Sequence, residues 1–475
     1  MSAGGGSWGR LGAAAAGLGC ALPLAVYLAD FTVDDALIGA RYAAHLAAGH
    51  GYRFNASGPV TDGVTPLGWP YLLAPFAGGG PAGALLAAKV LGLAAWALGA
   101  AALGLCIRGL GVRRRRWLAL LLVAGSAPLA AWASAGMETG VALGLGAAAV
   151  ALRAARRERT MAACAGLLAW LRPEALPFAV ALALGPARGG AEDEARRPPR
   201  ERAVALALAV VPWLAAALVR FAVFGRALPL SLAAKPSDLT HGASYALGAW
   251  LVTGGLGALA WWTLPGWVRG LAVAVLVHYA ATALGGGDWM PLARLVVPAL
   301  PAVVVVAAAS LEHAALPFAG GRLALALAGE LYLVAVRGPA AARVGADRRA
   351  LVRELEPVLA GRAVVGALDI GWLGAATDAT IVDFAGVTDP AVAALPGGHT
   401  TRPIPAMLLE ARRVDTLVLL LSRDGALAAP WTESPFARGV ERWVALGPGM
   451  AEDFEPVVVA TPPALRYVVL YRRAR

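Results

Sequence analysis

Met161-Ala-Ala-Cys-Ala-Gly-Leu-Leu-Ala-Trp-Leu-Arg172-Pro173-Glu174-Ala-Leu-Pro-Phe-Ala-Val-Ala-Leu-Ala-Leu-Gly185 is a 25-residue apolar block split by three residues ill suited to lipid. A membrane span needs roughly 20 residues, so the block is either one straight helix or two short ones. One straight helix would bury Arg172 near mid-membrane, where a charge is costly. It would also send the arginine-rich segment 188–202 to the side opposite the other arginine runs. Two short or tilted helices, with Arg172-Pro173-Glu174 at a tip in a water-filled cavity, avoid both problems.

Outward from this block, further apolar runs place spans near 11–29, 84–107, 117–133, 138–152, 203–223, 246–264, 268–285, 292–310 and 322–337. With the two short helices 161–171 and 174–186 this predicts about 11 transmembrane helices. The chain is 59% apolar, against about 45–50% for soluble domains. The fold class expected is a polytopic α-helical membrane protein. Residues 11–29 read as a retained helix rather than a signal peptide, because the chain goes on crossing. Arg108 with Arg113–Arg116, Arg153 to Arg159, and Arg188 to Arg202 all fall on one side, the cytoplasm by the positive-inside rule. The net charge of +11 therefore reports topology rather than a nucleic-acid partner. Asp34-Asp35, Glu138, the Arg172-Pro-Glu tip, Lys235, Asp288 and the C-terminal tail are expected on the opposite, extracytoplasmic face.

The composition changes after residue 338. Strand-length apolar runs occur at 363–368, 380–384, 415–421, 457–461 and 467–471, with a helical stretch over 404–413. They predict a small extracytoplasmic α/β domain over 338–475, following a membrane domain over 1–337. The three cysteines, Cys20, Cys106 and Cys164, lie in expected spans and form neither a disulfide framework nor a zinc spacing.

Asp34 and Asp35 follow the first apolar run in Phe31-Thr-Val-Asp34-Asp35-Ala-Leu-Ile-Gly-Ala-Arg41-Tyr42. Carboxylates kept at a membrane surface point to chemistry on a lipid-borne substrate. On a helix, Asp34, Ile38, Arg41 and His45 share a face. An ionised aspartate aimed at a sugar hydroxyl acts as a general base; the alternative is a first-turn acid favoured by the helix dipole. Only two lysines survive in an arginine-rich background. Lys235, in an outer loop, suits a lipid phosphate, and Lys89 reads as a snorkelling residue. Gly285-Gly-Gly-Asp288-Trp289-Met290-Pro291 with Arg294 is either a close backbone approach to a ligand or a tight turn with an ion pair. Glu138 reads as a first-turn acid and His278 as a packing residue. Asp-x-Asp and P-loop signatures are missing and no Gly-x-Gly-x-x-Gly follows a strand, which disfavours nucleotide-sugar, ATP and dinucleotide chemistry.

Taken in order, Asp34-Asp35-Ala-Leu-Ile with Arg41-Tyr42, Gly49-His50-Gly51 with Phe54-Asn55, Gly136-Met137-Glu138-Thr139 and Leu171-Arg172-Pro173-Glu174 make a composite signature. It continues with Ala234-Lys235, Gly286-Gly287-Asp288-Trp289-Met290-Pro291 with Arg294 and Pro298, Asp369-Ile-Gly371, and Val382-Asp383-Phe-Ala-Gly386-Val-Thr-Asp389. The set resembles the bacterial GT-C glycosyltransferases, and within them the actinobacterial terminal β-(1→2)-arabinofuranosyltransferase family. The resemblance implies a polyprenyl-phosphate sugar donor, an envelope glycan or lipid acceptor, and a catalytic aspartate in the first outer loop. Asp34 then becomes the base, with Asp35 as second choice or partner. Lys235, Arg172, Arg294 and Arg41 are the candidates for the donor phosphate. Glu138, Glu174, His50, Asp288, Trp289, Asp369 and Asp383 are the candidates for substrate. Asp34, Asp35 or Asp288 could share the work with a divalent metal. Two departures, Asp62 where relatives carry glutamate and Trp372-Leu373 after Gly371, bear on sugar identity. The rival expectation is a transporter or flippase of lipid-linked sugars.

Overall fold

The computed structural model describes residues 9–110, 116–186, 198–235, 238–461 and 465–474. Most of the arginine runs 113–116 and 188–202, on which the cytoplasmic side was assigned, lie outside them. The chain divides into two compact units. The first comprises Met1–Phe31, Ala88–Leu218 and Ser237–Ala342; the second comprises Thr32–Ala87, Val219–Pro236 and Arg343–Arg475. The tail expected from 338 is thus one part of a larger unit that also takes in the segment after the first apolar helix.

Among the described residues six helices are long and apolar enough to cross a membrane, or up to seven if a bent pair counts as one span. This is fewer than the 11 expected, and the shortfall has local causes. The run 117–133 is two helices, Arg116–Gly125 and Ala127–Ser134, broken where Pro128 enters the first turn of the second. Ser126 caps that second helix, and Glu330 accepts from the Ser126 hydroxyl at 3.0 Å and the Ala127 amide at 3.2 Å. The run 138–152 is the 16-residue helix Thr139–Ala154, only about 24 Å long. The block 161–185 forms two short helices, Glu158–Leu171 and Leu176–Leu184, which pack on each other. The run 246–264 bends by 76° between Leu239–Thr253 and Gly255–Thr263, at Gly254 with φ +90°.

Small residues set how closely the helices of the first unit pack. A Cβ on Gly17 would lie 2.1 Å from the Ala100 carbonyl, and one on Gly104 would lie 2.0 Å from that of Ala13. The helices Arg10–Tyr27 and Pro81–Gly109 therefore meet backbone to backbone. Lys89 does not snorkel: its ammonium donates to the carbonyls of Ala29, Phe31 and Ser134 at 2.8–3.0 Å.

In the second unit the tail forms the expected strands: β1 (Val364–Ala367), β2 (Thr380–Asp383), β3 (Thr416–Leu421), β4 (Phe454–Ala460) and β5 (Arg466–Arg472). Their order is β2-β1-β3-β5-β4, parallel through β2, β1 and β3 and antiparallel beyond. Phe384, Leu417, Leu419, Val440, Phe454, Val468 and Leu470 are buried together as its core. In sheets with parallel strands, ligands gather beyond the carboxyl ends. Asp369 follows β1 there, and Asp383 closes β2.

Candidate active site

Two short helices build the centre of the second unit. Asp34–Ala47 begins with Asp34 and Asp35 in its first turn. Ile370–Ala376 follows Asp369 and is seven residues long. Gly371 lets them touch, since a Cβ there would lie 2.0 Å from the Asp34 carbonyl oxygen. The Asp34 side chain accepts the Gly371 amide at 3.0 Å and the Trp372 amide at 2.9 Å, two of the orphan donors of a helix start. Seven residues on, Arg41 serves the other end. It donates to the carbonyls of Gly374 and Thr377 at 2.8 Å, Ala379 at 3.0 Å and Phe54 at 2.9 Å. A carboxylate at the amino end and a guanidinium at the carboxyl end both oppose the helix dipole. Arg41 is 3% exposed with four of its five N–H groups committed to carbonyls, so the geometry assigns it to this clamp and not to a donor phosphate.

Asp369 lies at the head of the same short helix and is held differently. Arg438 binds it through both terminal nitrogens at 2.9 Å, and the Tyr467 hydroxyl donates at 2.6 Å. Arg348 reaches the Tyr467 oxygen at 3.3 Å, and Glu441 holds Arg438 from behind. Burial alone would raise Asp369, but Arg438, Arg348 and Tyr467 together bring it down to about 2. Asp34 goes the other way. Burial, helped by the Asp369 charge, pushes it up to about 7 against the pull of the two amides. Arg438 and Tyr467 thus favour the anion at one carboxyl while burial raises its neighbour, a divergence that acid–base sites and structural ion-pair networks share.

Residues 340–468 match the model of a domain of unknown function, DUF8728. The match takes in Asp369, Arg438 and Tyr467 and leaves Asp34 and Arg41 outside it. No curated protein matches the chain.

The remaining expected residues fall into separate settings. Asp383 is fully buried and accepts from the amides of Ala385 and Thr388 and the Thr388 hydroxyl, so it shapes the turn after β2 and does not face a ligand. Burial raises it to about 6. Asp35 and Lys235 are half-buried, and His50 is exposed, edge-on to His45. Lys235 follows the short helix Leu230–Ala234, whose Ala234 carbonyl accepts from the buried Arg402 at 3.1 Å.

In the first unit Arg172 binds Glu138 at 2.8 Å and also contacts Glu174, and Arg294 binds Asp288 through two nitrogens at 2.6 and 3.1 Å. Both arginines, expected to bind phosphate, are therefore matched by carboxylates. Trp289 is half exposed. The loop reaching Arg294 carries Gly286, Gly287, Leu292 and Ala293 at positive φ. Leu292 and Ala293 pay a steric cost there, and such strain gathers at functional sites. Among the described residues no three His, Cys, Asp or Glu side chains form a group able to hold a metal ion.

Sequence reasoning missed Arg438, Arg348 and Tyr467, which are ordinary tail residues until the fold gathers them around Asp369. It also passed over what Asn55 does. The Asn55 carboxamide pairs with both the N–H and the C=O of Ile381 at 2.9 Å, closing the free edge of β2. Asn55→Ala should cost about 1–3 kcal/mol through the unmet edge groups. Thermal unfolding measures it, and an unchanged midpoint would remove Asn55 from the fold's supports. Asp62 is buried against Arg220 at 2.9 Å. Its Oδ1 and the buried Tyr52 hydroxyl are unpartnered among the described residues.

Proposed function

We propose that the chain is a membrane glycosyltransferase that moves a sugar from a polyprenyl-phosphate donor to an envelope glycan or lipid, with inversion. The six apolar helices of spanning length among the described residues support the membrane part of this reading. The observation that carries the chemistry is the carboxyl pair at the head of the helix Ile370–Ala376, Asp34 on the Gly371 and Trp372 amides and Asp369 held by Arg438 and Tyr467, with burial raising Asp34. Asp34 takes the proton from an acceptor hydroxyl. The oxygen attacks the anomeric carbon, and polyprenyl phosphate departs with the bonding electrons. Lys235, half-buried after the short helix Leu230–Ala234, is the cation assigned to the departing phosphate. The active face is assigned to the extracytoplasmic side.

The test is transfer of radiolabelled sugar from a polyprenyl-phosphate donor by the reconstituted protein, read across pH. The base form of Asp34 exists above about 7, so kcat/KM should fall about tenfold per pH unit below that. Stability runs the opposite way. A carboxyl whose folded pKa is raised stabilises the folded state at low pH, and loses that contribution as pH rises through about 7. Acid inactivation near pH 6 must therefore leave the fold intact by circular dichroism. A flat pH profile would remove Asp34 as base. The 76° bend between Leu239–Thr253 and Gly255–Thr263 favours a second reading, a transporter or flippase of lipid-linked sugars, since such proteins use discontinuous helices. Lipid translocation across vesicles without sugar transfer would establish it.

A further inference from the structure

A cavity of about 260 Å³ lies within the second unit, apart from Asp34 and Asp369, between residues 54–61 and the turn after β2. Pockets for drug-sized ligands run about 300–1,000 Å³, so this one suits a single small ring. Its frame is already satisfied. Asn55 is bound to β2, and the Thr388 amide and hydroxyl are bound to Asp383. Its free chemistry rests on the pair Asp389–Arg412, 3.2 Å apart. Asp389 Oδ1 accepts from the amides of Ala391 and Val392 and, at 3.4 Å, from Arg412 Nη2. Its Oδ2 meets only Arg412 among the described residues. Arg412 is 43% exposed in its side chain and keeps N–H groups for a ligand.

We infer that this cavity binds one neutral, hydroxyl-rich ring, a sugar unit of the acceptor, between the Asp389–Arg412 pair and the apolar wall of Phe54 and Pro59. The inference rests on the transferase reading and adds to it where the acceptor is held. Charge decides the class. A touching carboxylate and guanidinium sum to zero, so an anion meets the carboxylate and a cation meets the guanidinium. Neighbouring hydroxyls satisfy both at once, one donating to Oδ2 and the next accepting from Arg412. The C–H face of a sugar ring suits the proline and phenylalanine wall.

The experiment is saturation-transfer NMR on the full-length protein in lipid nanodiscs, with glucose, galactose and arabinose as neutral probes and glucose 6-phosphate as the anionic one. Transfer to at least one neutral sugar is expected, with glucose 6-phosphate more than tenfold weaker than glucose. Arg412→Gln, at an exposed position, should weaken the signal at least fivefold. Ala391→Trp, which adds an indole to the cavity lining, should abolish it. No neutral sugar bound, a preference for the phosphate, or unchanged binding in both variants overturns the inference. Sugar binding lost in both variants, with no transfer from any polyprenyl-phosphate donor, refutes the transferase and leaves the pocket standing. Full-rate transfer by Ala391→Trp refutes the acceptor role of the pocket and leaves Asp34 untouched.

Discussion

Asparagine at position 34 should lower sugar transfer by at least a hundredfold, in the range of about 10²–10⁴ seen when a general base is lost. The same change will not be silent in the fold. The Asp34 carboxylate accepts one amide on each oxygen, from Gly371 and Trp372. A carboxamide keeps one acceptor and turns an NH₂ against the other amide, which costs about 1–3 kcal/mol. Activity must therefore be divided by the folded fraction, measured on the same preparation by thermal unfolding. A loss of transfer beyond the loss of folded protein, which higher pH does not restore, supports the base. Transfer that merely tracks folding reduces Asp34 to one jaw of the clamp and sinks the proposed mechanism.

Gly371→Ala should be the most damaging single methyl in the second unit. Its Cβ would stand 2.0 Å from the Asp34 carbonyl oxygen, 2.8 Å from the carbonyl carbon and 2.9 Å from Cγ. Two of those three atoms are backbone, so no side-chain rotation relieves the clash. The two helices must separate, and both amide bonds to Asp34 lengthen with them. A loss of about 3 kcal/mol is expected, at the upper end of overpacking costs. Gly374→Ala supplies the control. There the new methyl would meet Arg41 side-chain atoms at 3.0 Å and no backbone, so a shift of a few tenths of an ångström in the guanidinium relieves it and about 1 kcal/mol is expected. Equal losses in the two variants would mean that the helix contact is looser than described.

The sequence carried four of the tail's five strands to within a residue, because β-branched and leucine runs between turn residues mark them, while β4 starts at Phe454, three residues before the expected 457. It also carried the break at Arg172, since a charge and a proline cannot continue an apolar helix. It overcounted the spans because hydropathy cannot separate a helix that crosses from one that stops early. Ser126 and Glu330 end a helix inside the apolar run 117–133, and their partnership joins positions 204 residues apart. Asp34 was legible as an unusual acid, but its setting was not. Nothing near position 34 announces that its partners are the amides of Gly371 and Trp372. Arg41 misled for the same reason, since a charged side chain at a membrane surface gives no sign that four carbonyls will absorb it.

The clamp also bears on how the molecule is made. Asp34 and Gly371 are separated by 337 residues, so the ribosome finishes one jaw long before the helix it grips exists. At about 5–20 residues per second the delay is on the order of half a minute. Through that interval the start of the Asp34 helix stays without its partner, open to proteases and chaperones. The tail, excised as a fragment, would lack the groups that hold the helix Ile370–Ala376 at both ends.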